Sequence, residues 1–285
     1  MRCSTCRLSH FYHWIADRPL NRVTHAQAME ERFAAQRMAP HGAIPVEESV
    51  AVEEPLEIHI NGSPWVTTMR TPGQDHALAI GLLYTEGILS NSSEVTTIEL
   101  EENVIIIQGD LSAEGHTRGF VRSSSCGVCG SASLESVLAR NPPKIPADGF
   151  SLQFVDIEQL IEKLNSTQSF FQTTGGMHAV ALFDQSLDLV NLSEDVGRHN
   201  AMDKIIGQSI DKLPLSRFGF LLSGRVSFEM VQKAVMVGSP CIIAIGAPTS
   251  LAIQLARQHG MTLIGFARES RCNIYTGAWR IQGVE

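Results

Sequence analysis

No stretch of this chain approaches the roughly 20 consecutive apolar residues that a membrane-spanning helix requires, so a membrane protein of the helical kind is not expected. Basic residues are in the minority. Lys and Arg number 22 against 30 Asp and Glu, a net charge of -8, which argues against nonspecific grip on nucleic acid or acidic lipid and leaves room only for a local basic pocket. Cysteine is scarce as well: six in 285 residues is no disulfide scaffold. The first residues also lack the apolar core of an export signal, with Arg2, Cys3, Cys6 and Arg7 ahead of His10-Phe11-Tyr12-His13-Trp14. A cytoplasmic protein is the expectation. In that reducing setting a CxxC spacing belongs to redox, sulfur or metal chemistry more often than to a structural bridge.

What is present fits a soluble globular protein, with 44% hydrophobic and 18% charged residues. The length exceeds one ordinary domain. Residues 1–43 read as a loosely attached extension whose one regular stretch, His25 to Met38, resembles a polar helix capped by Thr24. Residues 44–146 read as a smaller α+β domain. Pro55 to Asn61 and Pro64 to Thr71 form a strand pair around the Asn61-Gly62 turn signal, Gln74 to Leu89 has helical periodicity, and Val95 to Leu100 with Val104 to Gln108 make a second pair. Asn141-Pro142-Pro143-Lys144-Ile145-Pro146 breaks regular structure and serves as the linker.

Residues 147–285 read as a larger α/β domain. A hairpin, Ala179 to Phe183 with Leu187 to Leu192, precedes a helix from about Asn200 to Ile210. Strands at Gly219 to Leu222, Cys241 to Ile245 and Thr262 to Phe266 then alternate with helices at Ser227 to Val237 and Ser250 to His259. Short apolar strands so separated pair in parallel through right-handed crossovers, with both sheet faces covered. Their carboxyl ends therefore share one edge. The loops leaving it are Ser223-Gly224-Arg225, Gly246-Ala247-Pro248-Thr249-Ser250 and Ala267-Arg268-Glu269-Ser270-Arg271. Open α/β sheets bind ligands at such an edge, and arginine forks together with helix starts suit phosphate oxygens.

Two further segments carry polar density. Asp195-Val196-Gly197-Arg198-His199-Asn200 stands before a helix, where Asp195 or Asn200 is either a cap or, with Arg198 and His199, part of a binding site; a partnership of Arg198 with Asp195 or Asp203 is the structural alternative. Thr174-Gly175-Gly176-Met177-His178 precedes a strand and makes His178 a weaker candidate.

The most informative segment is Cys126-Gly127-Val128-Cys129-Gly130-Ser131, two thiols in a glycine-flanked turn ahead of an expected helix, Ser133 to Arg140. Backbone N–H groups at a helix start favour a thiolate over its thiol, and the thiolate is the nucleophile. Three serines, Ser123 to Ser125, keep the approach polar. Cys3 and Cys6 repeat the spacing, and a four-thiolate zinc site with Cys126 and Cys129 is conceivable only across a separation far beyond the usual ribbon spacing. Cys241 reads as core; Cys272 lacks a cationic helix start. A dithiol–disulfide oxidoreductase and a noncatalytic cofactor-binding chaperone are the rival classes. The first predicts disulfide turnover, and the second predicts that the arginines matter while the cysteines do not.

Five segments in order, Glu54-Pro55-Leu56-Glu57-Ile58, Ser124-Ser125-Cys126-Gly127-Val128-Cys129-Gly130, Glu194-Asp195-Val196-Gly197-Arg198-His199-Asn200-Ala201, Ser223-Gly224-Arg225-Val226-Ser227-Phe228-Glu229-Met230 and Ala247-Pro248-Thr249-Ser250-Leu251-Ala252, resemble the formate dehydrogenase accessory sulfurtransferase family, FdhD. The resemblance runs from Glu53 to Thr276 and leaves Cys3 and Cys6 without an inherited role. It implies a sulfurtransferase that accepts persulfide sulfur from a cysteine desulfurase and delivers it to the molybdenum cofactor, Mo-bis-molybdopterin guanine dinucleotide, of formate dehydrogenase. Cys126 would carry the persulfide, with Cys129 as resolving thiol or support. Phe266, Ala267, Arg268, Glu269, Ser270 and Arg271 match the family's cofactor-binding stretch, to which Arg198, His199, Arg225, Thr249 and Ser250 are added from the loops above. The implied fold is α/β, a larger C-terminal cytidine deaminase-like three-layer α/β domain plus a smaller N-terminal α+β domain carrying the CxxC loop. No resident metal is expected: a zinc deaminase needs His-x-Glu and Pro-Cys-x-x-Cys, whereas here Ala179-Val180 follow His178 and Ile242-Ile243-Ala244 follow Pro240-Cys241. A bis-nucleotide cofactor held by two symmetric pockets would suit a homodimer.

Overall fold

The computed structural model describes residues 28–112, 121–122 and 141–283. The segment carrying Cys126 and Cys129, the expected helix Ser133 to Arg140, and Cys3 and Cys6 lie outside the described residues.

The chain enters as a hairpin of β1 (Glu30–Ala39) and β2 (Gly42–Ala51), paired rung by rung from Glu30↔Ala51 to Ala39↔Gly42. The polar helix expected over His25 to Met38 is therefore corrected to a strand from Glu30 onward. Local helix propensity there is worth only tenths of a kilocalorie per residue. It yields to pairing with a β2 rich in Ile44, Val46 and Val50, and Pro40 at the tip ends any helix. The hairpin also runs through residue 43, the expected end of the extension.

β3 (Glu54–Ile60) and β4 (Ser63–Arg70) follow, joined at Asn61 and Gly62, both with positive φ (50° and 79°) as a tight hairpin turn demands. Next come α1 (Asp75–Glu86), β5 (Val95–Glu101), β6 (Val104–Gly109) and β7 (Val121–Arg122), which complete a five-stranded sheet of order β5-β6-β3-β4-β7. Alternation explains its core. Leu56, Ile58 and Ile60 of β3 and Ile105 and Ile107 of β6 turn inward against Leu78, Leu82 and Leu83 of α1. Each such side chain contributes roughly 1.5–3 kcal/mol by leaving water.

The second body starts with β8 (Leu152–Gln153), α2 (Phe154–Thr167) and α3 (Ser169–Thr174), then β9 (His178–Phe183), β10 (Leu189–Asp195), α4 (Arg198–Gln208), β11 (Gly219–Leu222), α5 (Phe228–Met236), β12 (Cys241–Ala244), α6 (Ser250–Gln258), β13 (Thr262–Arg268), β14 (Arg271–Thr276) and β15 (Ile281–Gln282). β9 to β14 make one sheet of order β10-β9-β11-β12-β13-β14. Its strands are apolar on both sides because both faces are covered. Leu182, Phe220, Leu222 and Ile242 meet α4, α5 and α6, while Ala181, Phe183, Leu221 and Ile243 meet Ile157, Leu160, Ile161 and Leu164 of α2. β11, β12 and β13 are parallel as expected, and β9 is antiparallel to both β10 and β11. The sequence reading had no element for α2, α3 or β14. It also took residues 267–271 as an open loop; β13 instead continues to Arg268 and turns through Glu269 and Ser270 into β14.

α1 and α4 lock the two bodies together at glycines. A Cβ on Gly81 would lie 1.9 Å from the Asp203 carbonyl oxygen, and one on Gly207 would lie 1.9 Å from that of Ala77. Beside this crossing, Lys233 reaches Asp203 at 2.6 Å, and Thr85 donates to Asp203 at 3.1 Å, all within the buried seam. No described helix is long and apolar enough to cross a membrane.

Candidate functional site

The strand directions decide where the polar loops go. With β10 to β13 running one way and β9 the other, the carboxyl ends of β10, β11, β12 and β13 and the start of β9 lie at one edge of the sheet. His178 opens β9 there, directly across from Asp195. The three loops expected to converge do so through backbone contacts: Gly246 N–H donates to Gly224 O at 3.1 Å, Phe266 N–H to Gly246 O at 3.1 Å, and Val226 N–H to Ala247 O at 3.0 Å. Only glycine fits at the centre. A Cβ on Gly246 would sit 2.5 Å from Gly224 O and 2.6 Å from Arg225 N.

Phe266 stands at a register shift between Gly265 and Arg268, with φ of 53° and a half-exposed ring. A left-handed aromatic residue at a bulge is the kind of strained backbone that persists at binding sites. Arg268 is tied down, its Nη1 donating to the Ile245 and Ala267 carbonyls at 2.9 and 3.0 Å. Phe266, Arg268, Arg271 and Asn273 line a cavity of about 290 Å³ on one side of the β13–β14 turn. On the other side, Arg268 to Arg271 line a cavity of about 200 Å³ with Phe154, Val155, Ile157 and Glu158. Ala267 points into the core and is fully buried, so its side chain offers nothing to a ligand. Thr249 caps α6, its hydroxyl accepting from Ala252 N–H at 3.3 Å, with Ser250 exposed beside it.

Asp195 does structural work. Fully buried, it accepts from the N–H groups of Gly197 at 2.8 Å and Thr71 at 3.1 Å and from Asn200 at 3.1 Å, and it pairs with Lys204 at 2.8 Å. Burial pushes its pKa up and Lys204 opposes the shift. Arg198 has neither of the carboxylate partners that the structural alternative gave it: Asp195 holds Lys204 and Asp203 holds Lys233. Among the described residues its Nε is buried without a partner, and burial and the neighbouring Arg225 both depress its pKa while Glu229 raises it. His199 meets Ser227 Oγ at 3.3 Å and lies 3.8 Å from Glu229 Oε2. The contact with His199, then that with Ser227, holds the Glu229 carboxyl down at about 2 against the effect of burial. Desolvation pushes both His199 and His178 below the ordinary histidine value, and Arg198 and Arg225 add to the effect on His178. At neutral pH the edge therefore carries its positive charge on arginines, with both imidazoles neutral.

Ser227 and Glu229 were not singled out as site residues in the sequence. They sit on a different element from His199 with no fixed spacing to it, so no local pattern announces the group. Cys241 is buried and pushed up to about 12 by desolvation, and burial also raises Cys272. Neither is a ready thiolate.

A model of the FdhD/NarQ family matches residues 51–282. The chain belongs to the FdhD/NarQ family. Among its relatives in that family, the sulfur carrier protein FdhD of Streptomyces avermitilis is 42% identical over 256 residues, covering 82% of this chain and 89% of that protein. The protein of the same name from Sulfolobus acidocaldarius is 43% identical over 238 residues, covering 82% and 92%. A crystal structure from Desulfotalea psychrophila, described as that of a formate dehydrogenase accessory protein, superposes with a TM-score of 0.73 at 24% identity, covering 89% of this chain and all of that one, which establishes the fold. The edge built above thus belongs to an FdhD/NarQ scaffold, and the β1–β2 hairpin precedes the family match almost entirely.

Proposed function

We propose that this protein is a sulfur carrier, a sulfurtransferase that takes persulfide sulfur onto Cys126 from a cysteine desulfurase and passes it to a guanine-nucleotide-bearing molybdenum cofactor, Mo-bis-molybdopterin guanine dinucleotide, for formate dehydrogenase. The names of its relatives support the carrier role. The observation that carries the site assignment is the direction of β7. That strand lies parallel to β4, pairing Val121 with Thr67 and Arg122 with Thr68. β4 in turn runs into the start of α4, where Asn200 donates to Met69 O at 2.7 Å and Thr71 N–H donates to Asp195. β7 therefore points toward the arginine edge at Arg122, four positions ahead of Cys126 in the sequence, which supports a reading in which thiol and arginines serve one site.

In the loading step the Cys126 thiolate attacks the outer sulfur of a donor persulfide. A new S–S bond forms on Cys126, the donor's S–S bond breaks, and the donor leaves as thiolate, so no net oxidant is consumed. In delivery, Cys129 attacks the Cys126 sulfur, closing a disulfide as the outer sulfur departs reduced to sulfide; where Cys129 only supports the loop, an external thiol makes the same attack and ends as a mixed disulfide with Cys126. Arg198, Arg225, Arg268 and Arg271 supply cationic donors for the diphosphates of the cargo. Phe266, half exposed beside the 290 Å³ cavity, offers a flat face for a purine ring. Helices on both faces of a sheet of this order support a deaminase-like reading of the larger body, without deaminase chemistry.

The test is activation of formate dehydrogenase in cells lacking the endogenous carrier. Loss of activity with Cys126→Ala and with Arg271→Ala is expected. Full activity in Cys126→Ala with loss in Arg271→Ala would replace the carrier by a cofactor-binding chaperone.

A further inference from the structure

At the end of the larger sheet away from the arginine edge, the segment 144–147, Gly260 ahead of β13 and the turn after β14 enclose a cavity of about 530 Å³, larger than either cavity at the β13–β14 turn. β13 runs from one end to the other. Its seven residues rise about 3.3 Å each, which sets this cavity about 20 Å from Arg268. The carrier mechanism makes no use of it.

Lys144, Pro146, Ala147, Gly260, Trp279 and Arg280 are among the lining residues. Arg280 is only 2% exposed. Its Nη1 donates to Gly260 O at 2.7 Å and to Thr262 Oγ1 at 3.2 Å, and its Nη2 donates to Pro146 O at 2.7 Å. The guanidinium thus bridges two residues of the cavity wall. Among the described residues its hydrogen-bond partners are all neutral oxygens, and its Nε is buried with none. Burial depresses its pKa, which the Cys241 thiol and the exposed Asp148 oppose at longer range. A buried cation without an ion-pair partner costs free energy that an anion beside it would recover. Lys144 adds a second, exposed cation at the rim.

Trp279 supplies a flat wall. Its indole is 62% exposed, yet the backbone presenting it is pinned. Trp279 sits in the single turn Ala278–Arg280, entered through Gly277 at a φ of 70°, where a Cβ would lie 2.6 Å from Thr262 Cα. Thr262 Oγ1 donates to Gly277 O at 2.9 Å, and Arg280 N–H donates to the same oxygen at 3.2 Å. The Arg280 guanidinium carbon lies 5.2 Å from the centre of the indole ring, so a cation backs the aromatic wall. A fixed, exposed indole of this kind receives a planar group at little cost in ordering.

We infer that this cavity is a second ligand site, one that takes a planar aromatic carboxylate, the ring packing on Trp279 and the carboxylate meeting Lys144 and the Arg280 guanidinium. A volume of about 530 Å³ is that of an ordinary small-molecule pocket and holds one or two fused rings. The ring and the acid come either as a free metabolite or as the carboxyl-terminal aromatic residue of a protein chain, and the test separates the two.

Ligand-observed NMR titration of the full-length protein with naphthoate tests the site. Saturable binding is expected, about tenfold tighter than that of naphthalenemethanol, which has the rings without the charge, or of cyclohexanecarboxylate, which has the charge without a flat ring. Lys144→Ala and Trp279→Ala, both at exposed side chains, are each expected to weaken naphthoate by about tenfold with the fold intact by circular dichroism. Arg271→Ala, at the far edge, is expected to bind naphthoate like the wild type. Acetyl-Gly-Gly-Trp with a free carboxylate is the second arm: displacement of naphthoate by it assigns a chain terminus, and naphthoate binding without displacement assigns a free acid. No saturable binding of either probe, equal affinity for the neutral alcohol, unchanged affinity in both Lys144→Ala and Trp279→Ala, or loss of binding in Arg271→Ala would overturn the inference.

Discussion

Gly246 presses against the Gly224 carbonyl so closely that its N–H bonds that oxygen at 3.1 Å and a methyl group in place of its hydrogen would fall 2.5 Å from it. Three loops separated by some twenty residues each are thereby made one surface. Gly246→Ala is expected to cost about 1–3 kcal/mol, as overpacking against backbone does, and to weaken ligand binding at the edge. Gly176→Ala, whose Cβ would meet Ala51 at 3.5 Å and the Thr174 carbonyl oxygen at 3.9 Å, both ordinary contact distances, is expected to melt like the wild type. Thermal melts of the two variants decide whether the glycine is there for fit.

The buried pair of Lys204 and Asp195 predicts a second stability effect. Lys204→Ala would leave Asp195 charged, enclosed and without its cation, at a cost of about 3–5 kcal/mol by urea denaturation. Lys204→Ala combined with Asp195→Asn is expected to recover part of that loss, because the uncompensated charge is gone. A single variant as stable as the wild type would mean that water reaches the seam.

Acid stability follows from the His199, Ser227 and Glu229 group. His199 and His178 titrate below 6.5 in the folded protein, so the unfolded chain binds their protons first and stability falls as pH drops below 6.5. Glu229, lowered from 4.5 to about 2, adds stability above 4.5 that is lost as pH falls toward 2. Denaturation midpoints against pH are expected to decline in two stages. His199→Gln should flatten the upper stage; because His199 is also the main influence holding Glu229 down, it should soften the lower stage too. Glu229→Gln should flatten the lower one.

How far the sequence reveals this molecule depends on the range of the interactions involved. β9, β11, β12 and β13 announce themselves because each is a short apolar run bounded by polar turns, and parallel pairing then brings the Arg225, Thr249 and Arg268 loops to one edge. The β1 strand hides because Glu31-Arg32-Phe33-Ala34-Ala35 is as good a helix as a strand until Ile44, Val46 and Val50 pair with it. Lys233 and Asp203 lie 30 residues apart, and Asn200 reaches Met69 from 131 residues away. No local pattern encodes such partners. The bulge at Phe266 is equally silent, since a left-handed aromatic residue leaves no compositional trace.

Arginine at the edge predicts how cargo is held. Arg271→Ala is expected to weaken binding of guanosine diphosphate, titrated calorimetrically, by about 10- to 100-fold, the worth of one or two charge-assisted hydrogen bonds. Arg257→Ala, on α6 away from the strand ends, is expected to change nothing. Equal affinity in wild type and Arg271→Ala would remove the β13–β14 turn from the binding surface.

Intact mass of the protein after incubation with a cysteine desulfurase and cysteine tests the central claim most directly. The wild type and Cys129→Ala should each gain one sulfur, about 32 mass units, and Cys126→Ala should gain none, the signature of a persulfide on a single reactive thiolate. A wild type that acquires no sulfur, or a Cys126→Ala variant that acquires it equally, would contradict the account.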